Sequence, residues 1–278
     1  MKGCALVATA AQRWAALVSS RGRPGGMGGG ADRMARNLRE AAQRDMTRTP
    51  VFAAVLQACG PERTVLDIGA GPGRYTLPLA GAGCQVWALE PAEAMLRYLE
   101  EDRAALAPEA AGRITPVVGP WPQSRERVPP VEVALASLVV HFCPDPVGFL
   151  AAMGDVARRR CVVAIRVGQM EPLVPVLWPR FHPDEERPRQ PVLADLLDVM
   201  EEMGLHPDVH IHAALRPYGR YASREEARER LAAMLRIEDT ADLARLDAEL
   251  QTLLVPDGDR WRSTETVEEA VVSWAPLA

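Results

Sequence analysis

Residues 65–76, VLDIGAGPGRYT, set an acid and three glycines at a spacing that serves ligand binding. Gly69, Gly71 and Gly73 let the main chain pass close to a ligand that any Cβ would block. The segment follows an apolar run and opens a helical pattern, the place where a parallel sheet presents backbone N–H groups at its carboxyl edge. A dinucleotide fingerprint would have glycine at 74, where the residue is Arg74. Nor would it normally hold an acid, Asp67, just before the turn, because a loop that cradles an anion repels a neighbouring carboxylate. The ligand expected here is a nucleoside carrying positive charge rather than a pyrophosphate. Seventeen residues after Gly73 a second run ends in Glu90. A carboxylate there can accept both hydroxyls of a ribose in charge-assisted hydrogen bonds.

These residues need a scaffold that brings strand ends together. Short apolar runs at 64–68, 85–89, 114–118, 131–137 and 161–167 read as strands. Helical patterns at 74–82, 91–103 and 145–158 alternate with them, with Pro91 expected in the first turn of its helix. Such alternation implies an α/β fold with a doubly wound, mostly parallel sheet and helices on both faces. Before it, residues 1–60 read as an N-terminal helical cap with helices at 5–18, 32–45 and 50–59. Within that cap, residues 21–31 hold six glycines and a proline, expected to be a hinge. After residue 167 the rhythm breaks. Residues 168–191 contain six prolines and read as an ordered loop or lid rather than a helix. Then come a helix at 193–203, a strand at 209–215, a helical insertion at 216–255 and a last strand at 266–274. Within the insertion, Ser223 and Glu226 are spaced as a capping box. Residues 61–278 thus form the expected main domain.

Composition removes several classes. The chain has 278 residues, a net charge of −5 and 48% apolar residues, enough for a sizeable core. Among 32 basic residues there is one lysine, Lys2, a poor place for the buried lysine of a P-loop NTPase, a kinase or a Schiff-base enzyme. The acidic balance argues against broad nucleic-acid binding. Cys4, Cys59, Cys84, Cys143 and Cys161 are scattered without zinc spacing, so no metal is expected and free thiols in the cytoplasm are. Gln12, Arg13 and Trp14 break the apolar run at 3–11, which reads as an amphipathic helix rather than a signal peptide. No stretch approaches the ~20 apolar residues of a membrane span.

DIGAGPG followed by ALEPAEAM resembles the class I S-adenosylmethionine-dependent methyltransferases, over roughly residues 60–167. The resemblance implies a seven-stranded sheet and S-adenosylmethionine as cofactor. Carried over by position, Gly69, Ala70, Gly71 and Gly73 would wrap the methionine part and Asp67 would order its amino end. Glu90 would bind the ribose, with Pro91 and Met95 flanking the adenine. The third strand ends in VGPW without the acid many relatives carry there, so Gly119 and Trp121 take that position. Trp121 could stack on the adenine edge or pack beneath the loop. In the fourth strand Glu132 takes the place of the family's acid, and Ser137 to His141 would lie at the cofactor's methyl end. The Asn/Asp-Pro-Pro-aromatic signature of amino methylation of bases and glutamine side chains is absent.

His141 is the strongest candidate for a general base, against the reading of a packing histidine. His182 comes next. His206, His210 and His212 surround a helix–strand junction, the latter two on one strand face, without a third metal ligand. The triplet Arg158, Arg159 and Arg160 is expected at a helix end, complementing the dipole. The activity this implies is in-line methyl transfer to a small-molecule acceptor, in which alignment and exclusion of water do most of the work. Three alternatives remain at this point: a non-catalytic cofactor-binding regulator, a different reaction of the same cofactor anchored by Arg74 or Arg166, and a nicotinamide oxidoreductase, which Arg74 disfavours. Neither the acceptor nor the oligomeric state is readable from the chain.

Overall fold

A computed structural model describes residues 8–20, 38–39, 45–214 and 218–276. The glycine-rich stretch at 21–31, Lys2 and Cys4 lie outside the described residues, as does most of the helix expected at 32–45.

The central sheet has seven strands in the order β3-β2-β1-β4-β5-β10-β6. These are β1 (Thr64–Ile68), β2 (Gln85–Glu90), β3 (Ile114–Val118), β4 (Val131–Ser137), β5 (Ala157–Arg166), β6 (Asp208–Ala213) and β10 (Glu268–Trp274). The pairings β1–β2, β2–β3, β1–β4 and β4–β5 are parallel. β10 runs antiparallel between β5 and β6. Strand order reverses at β1 and β4, so a crevice opens at their carboxyl ends, the usual ligand position in such sheets. The expected α/β architecture is the one found.

Both faces are covered because the strands alternate between two apolar sets. Leu66, Ile68, Leu89, Val163 and Ile165 face a core with Trp14, Phe149, Met153 and Leu196. Those partners come from α1 (Ala10–Ser19), α6 (Pro146–Val156) and α8 (Leu193–Glu202). Val65, Val86, Val133, Leu135, Val162 and Val271 face the other core, with Val51, Phe52 and Val55 of α2 (Pro50–Ala58) and Leu79 of α3 (Thr76–Gly81). α4 (Glu93–Arg103) and α5 (Pro108–Ala111) complete the first half of the fold.

A further apolar core joins α7 (Leu173–Phe181), α9 (Arg224–Leu235) and α10 (Thr240–Leu253). Beside it stands a small antiparallel sheet of β7 (Arg220–Tyr221), β9 (Arg260–Ser263) and β8 (Leu254–Asp257). Three local expectations are corrected. Residues 173–181 are helical despite their prolines, because Leu173, Val174, Leu177 and Trp178 share one buried face. Pro175 sits in the first turn, where a missing N–H removes no intrahelical bond. Pro91 precedes its helix, which starts at Glu93 after Ala92. The arginine triplet belongs to β5 rather than to a helix end. There Arg158 pairs with Glu62, Arg160 with Asp208, and Arg159 Nε donates to the Ala58 carbonyl at 3.0 Å.

Candidate functional site

The carboxyl ends of β1, β2 and β3 are stitched into one ledge by their own backbone. Gly69 N and Ala70 N both donate to Leu89 O, at 2.8 and 3.1 Å, and Gly119 N donates to Glu90 O at 3.1 Å. The three loop glycines all have positive φ, but for different reasons. A Cβ on Gly69 would lie 2.5 Å from Val139 Cγ1, and one on Gly73 would lie 2.5 Å from Leu99 Cδ1. A Cβ on Gly71 would meet nothing within 4 Å among the described residues. Gly69 and Gly73 are therefore required by packing, whereas Gly71 faces open space.

Two acids flank this loop. Glu90, 8% exposed, accepts from Gly71 N through Oε2 at 3.0 Å and from Ala92 N through Oε1 at 2.9 Å. Burial pushes its carboxyl above the ordinary value, and the two backbone donors oppose that shift. Each oxygen retains lone-pair capacity for a further donor. Asp67 sits one layer below. Alternation along β1 turns it toward α3, where its Oδ2 accepts from Thr76 Oγ1 at 2.7 Å. Burial raises its carboxyl to about 6; Thr76 opposes the rise and the Glu90 charge adds to it.

Pro91, exposed, and Met95, half-buried, follow Glu90 in the turn into α4. Trp121 lies in the sheet core, its Nε1 donating to Phe149 O at 3.2 Å and its ring edge-on to Phe149 at 6.4 Å. Its N–H is thereby engaged in packing. Glu132 is at the opposite edge of the sheet, where it accepts from Gly60 N at 2.9 Å. A depression of about 330 Å³ near Gln57, Arg159 and Ser273 also lies at that amino edge, away from the glycine loop.

The end of β4 brings in the remaining residues. Ser137 is followed by Leu138, whose φ of 57° is rare for a side chain of its size. This turn directs Val139 against Gly69 and leads into His141, which is 2% exposed. His141 Nε2 lies 3.1 Å from Arg166 Nη2, and the same Nη2 donates to Gln190 Oε1 at 3.2 Å. A guanidinium only donates, so Nε2 is the acceptor and its lone pair is already engaged. His182 is elsewhere, against Trp178 and the Leu235 carbonyl in the core of α7 and α9. His210 and His212 do share one face of β6, with ring centroids 6.2 Å apart. Among the described residues there is no group of three or more metal-ligating side chains.

Sequence reasoning missed two groups here. Tyr75 is 2% exposed at the start of α3. Burial pushes its phenol upward; Arg74 opposes that, while Glu269 and Asp67 add to it. Glu269, on β10, is also 2% exposed. Its only sequence signal is an acid at the head of an apolar run, which reads equally well as a solvent-facing end. Arg74 has a buried Nε without a hydrogen-bond partner among the described residues, and its guanidinium lies 5.5 Å from the Tyr75 ring.

Residues 65–160 match the family profile of a methyltransferase domain. No curated protein matches the sequence. Among solved structures, a candidate methyltransferase from Bacillus halodurans C-125 shares 14% identity over 81% of this chain and 98% of its own, with a TM-score of 0.51. The YcgJ protein of Bacillus subtilis shares 11% identity over 82% of this chain and 98% of its own, with a TM-score of 0.53. At such identities the likeness is one of fold. The profile match itself spans the strands that carry the glycine loop, Glu90 and the β4 turn, so the stretch that holds the ledge is the stretch similar to a methyltransferase domain.

Proposed function

We propose that the protein methylates a small-molecule acceptor, held at the carboxyl ends of β4 and β5 and the amino end of the antiparallel β10, beside the cofactor ledge. The observation that carries this reading is the contrast between Gly71, whose α-carbon faces open space, and the packed glycines on either side of it. That opening lies next to the Glu90 carboxylate, which fits the paired hydroxyls of a ribose. Gly119 and Ala70 line the same ledge, with Pro91 and Met95 at the side where a base would lie. Trp121 supports the ledge from the core. Asp67 below the loop fits a cationic amino group, directly or through water, and the unpartnered Nε of Arg74 fits a carboxylate.

When bound, S-adenosylmethionine supplies a methyl group on a sulfonium, already activated toward a nucleophile. The protein's task is then to align the acceptor and keep water out. Alignment of this kind is worth on the order of 7–11 kcal/mol in well-oriented intramolecular reactions. Ser137, Leu138 and Val139 form the turn beside the loop, so the acceptor would approach along it. His141 acts here by holding Arg166 in place. It takes a proton from the acceptor only where the acceptor displaces the guanidinium from Nε2.

No helix among the described residues is long and apolar enough to cross a membrane. Cys59, Cys84, Cys143 and Cys161 are free thiols, which suits a reducing cytoplasmic setting. The acidic net charge favours a small acceptor over nucleic acid. Calorimetry with S-adenosylmethionine, S-adenosylhomocysteine and NADH tests the reading: both sulfur nucleosides bind and NADH does not. Absence of binding by either sulfur nucleoside would overturn it.

A further inference from the structure

At the far end of the same edge, three charged or polar residues stand side by side on adjacent strands. Glu269 of β10 is in register with Arg166 of β5 on one side and with His212 of β6 on the other. Residues directly opposite in antiparallel pairs project to the same face, so the three side chains form a row. Two of them carry buried atoms, Glu269 Oε1 and His212 Nε2, that nothing among the described residues satisfies. Arg166 does not relieve them: neither atom has a hydrogen-bond partner among the described residues, and Arg166 Nη2 is directed to His141 and Gln190. His212 Nδ1 lies 2.9 Å from the Ala213 carbonyl, an acceptor only, so Nδ1 carries the proton and Nε2 of the neutral ring is itself an acceptor. The row therefore presents two neighbouring acceptor atoms without a donor.

Leaving a buried carboxylate oxygen unmatched is expensive, and each such group in a folded protein calls for an explanation. Glu269 is 2% exposed, and no cation lies within ion-pair distance of it among the described residues. The missing partner must donate at least two hydrogen bonds, and a positive charge on it would offset the buried carboxylate. A protonated amine does both. Position agrees with this. β10 is two strands from β4, about 10 Å at ordinary strand spacing, so a ligand on the row reaches the turn at Ser137–Val139 with the body of a small molecule.

We propose that Glu269 and His212 form the acceptor-recognition subsite and that it takes a protonated amine as the acceptor's handle. The proposal rests on the methyl-transfer reading above, which places the acceptor at this edge. The handle is held away from the cofactor ledge, so it is a specificity element rather than the atom that is methylated.

The test uses the full chain with benzylammonium, benzyl alcohol and benzoate as probes, followed by ligand-observed NMR in the presence of S-adenosylhomocysteine. Benzylammonium is expected to bind and benzoate not to. Glu269→Gln should weaken benzylammonium about 10- to 150-fold, the range for a hydrogen bond to a charged group, and leave S-adenosylhomocysteine affinity within about twofold. His212→Ala, at a half-buried position, should weaken the same probe without loss of fold and stands in should Glu269→Gln fail to fold. Equal benzylammonium binding by wild type and a folded variant, or preference for benzoate, would overturn the subsite while the cofactor reading stands. Failure of wild type to bind S-adenosylhomocysteine would remove the reading beneath it as well.

Discussion

Arg166 holds its Nη2 3.1 Å from His141 Nε2, and that contact occupies the one lone pair with which the imidazole could act as a base. If His141 is a positioning residue for Arg166, glutamine should replace it better than alanine, because an amide oxygen can accept the same hydrogen bond. His141→Gln is expected to keep kcat within about tenfold and His141→Ala to lose more, mainly through KM for the acceptor. The measurement is a pH–rate profile of each variant. Disappearance of an ionisation limb in His141→Gln, with kcat falling on the order of 10²–10⁴-fold, would make it the general base instead.

Asp67 gives a pH dependence whose sign can be worked out. Its carboxyl is raised from 3.8 to about 6, chiefly by burial. A group raised in the folded state contributes fully to stability below its unfolded value, and the contribution is lost as pH rises through the folded one. The gap corresponds to about 3 kcal/mol lost between pH 4 and 6. Asp67→Asn keeps an acceptor for Thr76 and should abolish that loss, so its stability relative to wild type rises across this window. Urea denaturation without cofactor at pH 4.5 and 7.5 measures it. Cofactor affinity should change the other way, because the ionised form is the one that suits a cationic amino group. Wild-type affinity is expected to be flat above pH 6 and to fall by up to about tenfold per unit below it, with the slope absent in Asp67→Asn. A slope that persists in the variant would remove Asp67 from the cofactor's amino end.

Trp14 ties α1 to the segment that follows His141. It is fully buried, and its Nε1 donates to the Cys143 carbonyl at 2.8 Å. Two further contacts fix the same helix, Ala10 N to Glu202 Oε1 at 2.7 Å and Arg13 to Asp198 at 3.1 Å. Trp14→Ala should cost about 3–5 kcal/mol, the usual range for emptying an aromatic core position. Trp14→Phe keeps most of the packing and leaves a carbonyl unmatched, at about 1–3 kcal/mol. Chemical denaturation orders the two. Equal stability of Trp14→Ala and wild type would mean that α1 does not contribute to the fold.

The first half of this molecule was readable because its strands are short apolar runs enclosed by turns. β1, β3 and β4 begin and end where the pattern of Thr64–Ile68, Ile114–Val118 and Val131–Ser137 places them. The glycine loop was readable for the same reason, since a local backbone requirement leaves a local mark. α7 was not, because proline content is a local signal and the burial of Leu177 and Trp178 against α9 is not. Arg158–Arg160 looked like the end of a helix, yet their partners Glu62 and Asp208 are far away in sequence. The row at Arg166, Glu269 and His212 is the extreme case. It exists only through the pairing of β10 between β5 and β6, which no spacing within one segment reveals.

Glu90 should carry much of the cofactor affinity. Its two oxygens are held by Gly71 N and Ala92 N, which fixes the carboxylate at the ledge before any ligand arrives. Loss of each charged hydrogen bond to a ligand costs about 1.5–3 kcal/mol, so Glu90→Ala should weaken S-adenosylhomocysteine about 10-fold or more. Calorimetry measures this directly. Unchanged affinity in a folded Glu90→Ala would place the ribose elsewhere.

The glycines separate fold from ligand more sharply than either acid does. Alanine at Gly71 adopts a φ of 55° and meets no atom of the described residues within 4 Å. The expected stability loss is about 1–2 kcal/mol, the ordinary penalty of the left-handed region. Alanine at Gly73 faces a φ of 94° and contacts of 2.5 Å to Leu99 Cδ1 and 3.0 Å to Leu77 Cγ. Overpacking adds about 1–3 kcal/mol there, so Gly73→Ala should be clearly the less stable of the two. For ligand binding the order reverses. The new methyl in Gly71→Ala enters the space assigned to the cofactor and should weaken S-adenosylhomocysteine by at least tenfold in a protein that still folds. Denaturation and calorimetry on the same two variants resolve the question. Wild-type affinity in Gly71→Ala would show that the opening above this loop is not where the cofactor lies.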